Sequence, residues 1–187
     1  MTNVGIMTMH RIVNYGSFLQ AYALKHMVES LGAAARLVDF RPGYLIDDAW
    51  HRKNALFMFL RENYHKFNKR PPSTLERLFG EYLEDLGVGP AKNYRTKCDL
   101  LIVGSDEVFN CLQDNPDVGF ATQLYGRGIR ARRLISYAGS CGQTTYDGLC
   151  AHRVQDRLAA YLTRFAALSV RDANSQDVIG RLTGTRP

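Results

Sequence analysis

The first forty or so residues constrain the fold more than any other stretch. An apolar run carrying Val4, Ile6 and Met7 starts almost at the N-terminus. Asn14-Tyr15-Gly16 interrupts it with turn chemistry, because Asn and Gly accept unusual backbone angles at low cost. Ser17 stands where it can cap a helix, and Phe18, Leu19, Tyr22, Ala23, Met27 and Leu31 then recur at helical spacing. Gly32 stops that helix as a C′ residue would. Leu37, Val38 and Phe40 read as a second strand, with Asp39 near its C-terminal end and Arg41-Pro42-Gly43 closing it. Strand, helix and strand in this span make a parallel crossover and argue against a hairpin.

The later segments repeat the theme. Leu100-Leu-Ile-Val103 is a continuous aliphatic run of the kind buried in parallel sheets, and Gly104-Ser105-Asp106 follows at its C-terminal end. Open α/β sheets bind ligands at such ends, so Ser105 and Asp106 are candidates for binding hydroxyls, or simply for capping a helix. Residues 111–132 read as an irregular excursion. Leu134–Ala138 is a fourth strand and ends in Gly139-Ser140-Cys141-Gly142. An amphipathic helix is expected over Ala151–Phe165, a short fifth strand over Ala167–Val170, and a last helix from about Ala173 to Leu182. The stretch from about 44 to 97 differs. It is rich in aromatic and basic residues, with one helical stripe between Lys53 and Phe67 and another over Leu75 to Leu86, which Ser73 or Thr74 can cap. It reads as a helical insertion, packed on the sheet or serving as a lid or partner surface. The pattern predicts one α/β domain over 1–187: a doubly wound, mostly parallel, Rossmann-like sheet with a helical insertion.

Charge and cysteine usage narrow the function classes. The net charge is +6, concentrated in Lys66–Arg70 and in Arg127, Arg130, Arg132 and Arg133. This is a solvated basic face or an attraction to a phosphate, a lipid-linked sugar or another anion. No zinc-finger, helix-turn-helix or aromatic-platform signature points to nucleic acid. No apolar run is long enough for a transmembrane segment, and no secretory signal is visible. The four cysteines form no CxxC pair, which predicts reduced thiols and a cytoplasmic protein, or one working at the inner face of the membrane. Cys141 invites a nucleophile reading, but no His stands near it in sequence, so a buried thiol is favoured. The histidines and acids show no metal-ligand spacing. Asp39 lies where dinucleotide-binding folds place a ribose-binding acid, yet no GxGxxG precedes it, which argues against a nucleotide cofactor.

Six strand-tip segments taken together resemble the polysaccharide pyruvyl transferase family. They are Gly5 to His10; Asn14-Tyr15-Gly16 with Leu19 to Leu24; Val38 to Pro42; Val103 to Asp106 with Asn110; Ser136-Tyr137-Ala138 with Ser140 and Gly142; and Leu168 to Asp172. Each is weak alone, and their order is specific. Two departures stand out: Glu107 and Phe109 occupy positions where the family usually has Gln and Trp, and Gly139 and Cys141 replace Ala and Phe. Phe109 is expected to keep an aromatic surface, while Glu107 introduces a charge that bears on acceptor preference.

The resemblance implies the N-terminal, acceptor-side half of a fold similar to type-B glycosyltransferases, with a C-terminal partner domain expected beyond this chain. It implies transfer of pyruvyl from phosphoenolpyruvate, a donor substrate rather than a cofactor, onto two hydroxyls of a sugar or polysaccharide precursor as a ketal. The half alone is expected to be inactive. By the same resemblance, Asp106 is a candidate catalytic base or hydroxyl orienter and His10 a candidate acid/base. Asn14, Tyr15, Gly16, Gln20, Gly104, Ser105, Asn110, Ser136 and Ser140 are candidates for substrate binding, and Arg171 for neutralising an anion. The alternatives are a non-catalytic binding or assembly domain, including a homo-oligomer, and half of a nucleotide-sugar glycosyltransferase.

Overall fold

The computed structural model describes residues 1–46 and 73–187. Four strands form one all-parallel sheet: β1 (Asn3–Met7), β2 (Ala34–Leu37), β3 (Leu100–Gly104) and β4 (Arg133–Tyr137), in the order β2-β1-β3-β4. In-register pairs such as Val4 with Ala35 and Leu100, and Leu101 with Leu134, fix the alignment. The central strands β1 and β3 are buried on both faces, as their unbroken apolar runs require. The order reverses between β1 and β3, so the topological switch point lies at their C-terminal ends.

Helices cover both faces, as the doubly wound reading expects. On one face lie α1 (Tyr15–Ser30) and α2 (Thr74–Asp85). Ala21, Leu24 and Val28 of α1 pack against Val4, Ile6, Leu37 and Ile102, together with Leu86 and Val88 from the end of α2. The other face carries the 3₁₀ turn Thr122–Tyr125 and the helices α3 (Tyr146–Ala151), α4 (Gln155–Leu162) and α5 (Ala173–Thr183), around Leu101, Val103, Phe109, Phe120 and Leu158. Burying each such large apolar side chain contributes about 1.5–3 kcal/mol before the entropy of ordering is subtracted.

Helix ends explain several boundaries. Asn14, not Ser17, caps α1: its Oδ1 accepts from the N–H groups of Gly16 (2.7 Å) and Ser17 (3.3 Å). The expected turn Asn14-Tyr15-Gly16 is therefore the cap and first turn of the helix, and Ser17 is buried. At the other end Gly32 adopts φ +81, with its N–H on Glu29 O and that of Ala33 on Val28 O, a Schellman closure. Ser73 and Glu76 form a reciprocal capping box on α2, and Gly87 ends that helix with the same closure as Gly32. Phe79 of α2 meets Tyr15 and Phe18 of α1, so this part of the expected insertion packs on the α1 face. The helix expected between Lys53 and Phe67 lies outside the described residues.

Three expectations are corrected. The single helix over Ala151–Phe165 is two helices, α3 and α4, separated by Arg153 at φ +54. The Arg153 and Val154 N–H groups close on Cys150 and Leu149 in another Schellman turn, while Val154, Leu158 and Leu162 stay buried as the stripe requires. The fifth strand reduces to isolated parallel bridges, Ile135 to Ala167 and Gly139 to Val170. Between them the Ser136 hydroxyl takes over the ladder, donating to Ser169 O (3.0 Å) and accepting from Ser169 N (2.8 Å). Phe109 presents no aromatic surface. It is fully buried against Tyr125 and Phe165, and Gly139 is small because a Cβ there would sit 2.7 Å from the Phe109 ring.

Candidate functional site at the C-terminal edge of the sheet

The tips of β3 and β4 are tied to each other and to α1. Gly104 (φ +137) and Ser105 (φ +65) turn the chain sharply as it leaves β3. Ser105 N donates to Tyr137 O at 2.7 Å, and its hydroxyl donates to Gln20 O of α1 at 3.2 Å. One residue on, the Asp106 carbonyl accepts from Ser140 N (2.9 Å), and Ser140 O accepts from Phe109 N (2.9 Å). The carboxylate of Asp106 is 8% exposed. Its Oδ1 accepts from Glu107 N at 2.8 Å, and its Oδ2 is buried with no donor. A buried acceptor left without a donor costs stability, which marks this carboxylate as one the fold does not fully satisfy.

Ser105 and Asn110 share this loop with Asp106, and Ser140 is bonded to it through the backbone. Asn110 donates to Glu107 Oε2 (2.9 Å) and accepts from Thr144 Oγ1 (2.8 Å). Gly142 (φ +53) passes so close that a Cβ would lie 2.5 Å from both Asn110 Nδ2 and Glu107 Oε2. Ser140 donates to Asp172 Oδ2 (2.7 Å) and accepts from Gly142 N (3.0 Å). Asp172 also caps α5 through Ser175 N (2.8 Å). Burial works to raise the Asp172 pKa, but the hydrogen bonds from Ser175 and Ser140 and the nearby Arg171 charge outweigh it and lower the value. Asp172, Ser175, Thr144 and Asn174, which bonds the carbonyls of Gly142 and Thr144, were not among the sequence candidates. The spacing of Asp172 and Ser175 is a helix N-cap signal and could have exposed that pair.

The remaining candidates are placed differently. Asn14, Tyr15 and Gly16 are exposed at the start of α1, with the Asn14 oxygen taken by the helix cap. Gln20 offers its carbonyl to Ser105. Ser136 is buried and bonded to Ser169. Arg171 is exposed, and its N–H is held by Gly139 O at 3.2 Å.

His10 belongs to a second cluster. It is 2% exposed, with Nδ1 3.1 Å from Thr8 O and Nε2 3.2 Å from Asp39 Oδ1, without a well-aligned hydrogen bond to it. Arg11 grips the same carboxylate through Nε to Oδ1 (2.5 Å) and Nη2 to Oδ2 (3.1 Å), and Asn93 N donates to Oδ2 at 2.6 Å. Burial would raise the Asp39 pKa. The His10 and Arg11 side chains and the Asn93 N–H outweigh it and hold the carboxyl well below the usual carboxylate range. Asp39 is thus engaged by protein donors, not presented toward a ribose. His10, Arg11 and Asp39 border a depression of about 240 Å³ with Lys92 and Asp117.

Burial pushes the Cys141 thiol up to about 12, with neighbouring Cys111 and Asp172 charges adding to the rise, which fits a buried thiol and not a nucleophile. Among the described residues no group of three or more His, Cys, Asp or Glu is placed to hold a metal, and no helix is long and apolar enough to cross a membrane. No curated protein and no solved structure matches the chain. The sequence model of the family described as polysaccharide pyruvyl transferase matches residues 14–184. That span takes in the α1 cap, the β3 and β4 tips and the start of α5, and it establishes that the chain belongs to the polysaccharide pyruvyl transferase family.

Proposed function

We propose that this chain forms the acceptor-side face of a pyruvyl transferase that moves pyruvyl from phosphoenolpyruvate onto two hydroxyls of a sugar. The observation that carries this reading is the Asp106 carboxylate at the switch-point edge, with one buried oxygen lacking a donor, beside Ser105, Asn110 and Ser140.

The chemistry asks for specific groups. The donor's methylene carbon takes up a proton, and its C2 becomes electrophilic. The first hydroxyl adds to C2 and gives up its proton, and the C2–O bond to phosphate breaks. The second hydroxyl then adds at C2, also losing a proton, to close the ketal and leave inorganic phosphate. A carboxylate within reach of the attacking hydroxyl accepts its proton, the role we assign to Asp106. Asn14 and Gln20 offer side-chain amides to other acceptor hydroxyls, and exposed Arg171 supplies positive charge toward an anionic group. His10, bound up with Thr8 and Asp39, holds the β1 tip in this reading. The proton for the methylene and the main grip on the donor phosphate are assigned to a partner domain across the cleft, in a cytoplasmic setting where phosphoenolpyruvate is available.

The test uses the complete gene product with phosphoenolpyruvate and a panel of glycans, following phosphate release and the ketal methyl resonance. Ketal formation that falls at least about 100-fold in Asp106→Asn, with the fold intact, supports the reading. Phosphoenolpyruvate left untouched across the panel, or an Asp106→Asn variant of full activity, overturns it.

A further inference from the structure

We propose that a cavity walled by the 41–44 segment, the Thr122–Tyr125 turn and α4 binds a ligand carrying a phosphate or diphosphate group. The cavity has a volume of about 660 Å³, and its lining includes Arg41, Arg127 and Arg157 with Tyr44, Gln123 and Tyr161 and, among the described residues, no acidic one. The proposal does not depend on pyruvyl transfer, since none of these residues is assigned to hydroxyl binding above.

Several guanidiniums elsewhere in the chain are already engaged. Arg11 is paired with Asp39, Arg132 faces Asp99, and Arg181 reaches Asp147 and Asp177, while Arg36 and Arg164 are spent on backbone carbonyls. Among the described residues no carboxylate lines the cavity to answer the charge. Arg157 donates to the Tyr44 hydroxyl at 3.1 Å and lies 4.5 Å over the Phe120 ring, which fixes its plane and leaves further N–H donors unspent on the described residues. Arg41 stacks 4.9 Å over Tyr94, and its backbone N–H is anchored on Gln123 Oε1 at 2.7 Å. Arg127 is exposed, and its side chain makes no hydrogen bond or ion pair with the described residues.

The wall behind them is stiff. Gly43 N donates to Val118 O and Phe120 N to Tyr44 O, both at 2.9 Å, and the backbones approach so closely that a Cβ on Gly43 would overlap Phe120 O. Cations held near one another without counter-charges repel, and stacking on rings pre-pays their ordering. A phosphoryl group, with several oxygens and up to two negative charges, matches such forked donors better than a single carboxylate does.

The experiment is calorimetric titration of the full chain with inorganic pyrophosphate at low ionic strength, for the native protein, Arg157→Gln and Arg127→Gln. The expected result is saturable one-to-one binding that weakens with salt and loses about tenfold in affinity for each arginine removed. Because the Arg127 side chain makes no hydrogen bond or ion pair with the described residues, Arg127→Gln keeps the test decisive even where Arg157→Gln is unstable. Co-sedimentation with phosphatidylcholine vesicles containing phosphatidylglycerol separates the sources. Vesicle binding that pyrophosphate displaces and Arg127→Gln weakens identifies a lipid headgroup. Pyrophosphate binding without vesicle binding identifies a free phosphorylated ligand. Absence of saturable pyrophosphate binding, or binding undiminished in Arg127→Gln, overturns the proposal. Failure of ketal formation by the complete gene product would leave this result unaffected.

Discussion

Arg11 and Asp39 form a two-pronged ion pair, Nε to Oδ1 at 2.5 Å and Nη2 to Oδ2 at 3.1 Å, that joins the tip of β1 to the segment after β2. The same Nη2 also reaches the carbonyls of Gly89 (3.1 Å) and Ala91 (3.3 Å), so one guanidinium ties three stretches of chain. The carboxylate is nearly buried while the arginine keeps partial access to water.

Removing the charge at Asp39 strands its donors. Asp39→Asn is expected to cost about 3 kcal/mol at pH 7, because a buried pair broken on one side leaves an uncompensated charge and opposes N–H to N–H. The pH dependence has a definite sign. The folded carboxyl holds its proton less tightly than the unfolded one, which titrates near about 3.9. Its contribution is therefore complete above about pH 5 and declines as pH falls from there through the lower folded-state value. Urea midpoints measured from pH 7 to 3 should show a constant gap between native and variant down to about pH 5, then a narrowing one. A gap that widens on acidification contradicts the assignment.

Gly104 sits where the neighbouring β4 backbone leaves no room for a side chain. At φ +137 a Cβ would lie 2.3 Å from Tyr137 O, the very carbonyl that accepts from Ser105. Gly104→Ala should destabilise by at least about 2 kcal/mol, strain and collision acting together. Gly32 has φ +81 but open space around it, so Gly32→Ala should cost only about 1 kcal/mol. Comparing both variants by chemical unfolding separates close approach from conformational cost. Equal losses would show that the approach of β4 is not what selects glycine at 104.

The thiols should divide sharply in reactivity. Cys150 is exposed, whereas Cys98, Cys111 and Cys141 are buried. Burial drives the Cys111 thiol to about 11 and Cys141 to about 12, so their reactive thiolates are scarce at neutral pH. Titration of the native chain with a disulfide reagent at pH 8 should show one rapid thiol, with the other three released only by denaturant. Rapid reaction of Cys141 in the folded protein would reopen its reading as a nucleophile.

Periodicity along the chain was enough to establish the parallel α/β plan. The 3.6-residue stripe of α1, the unbroken aliphatic run of β3 and the stop signals at Gly32 and Gly87 are local, and local spacing decides which face an element buries. The polar tips after β1, β3 and β4 were legible for the same reason, since they follow directly where apolar runs end. Partnership was not legible. Nothing near Asp39 in sequence says that Asn93 will bond it, and nothing near Ser140 names Asp172, because these contacts span tens of residues and exist only once the sheet aligns its edges. The break between α3 and α4 needed Arg153 in a left-handed turn that side-chain hydrophobicity does not report. The fifth strand failed because the Ser136 hydroxyl substitutes for the backbone there, a choice that tertiary packing makes and composition does not. Sequence alone thus determined which elements form and where their polar ends fall. Only the folded chain decided that Arg11 and Asp39 would neutralise each other, while Arg41, Arg127 and Arg157 would face one cavity in which no described residue supplies a counter-charge.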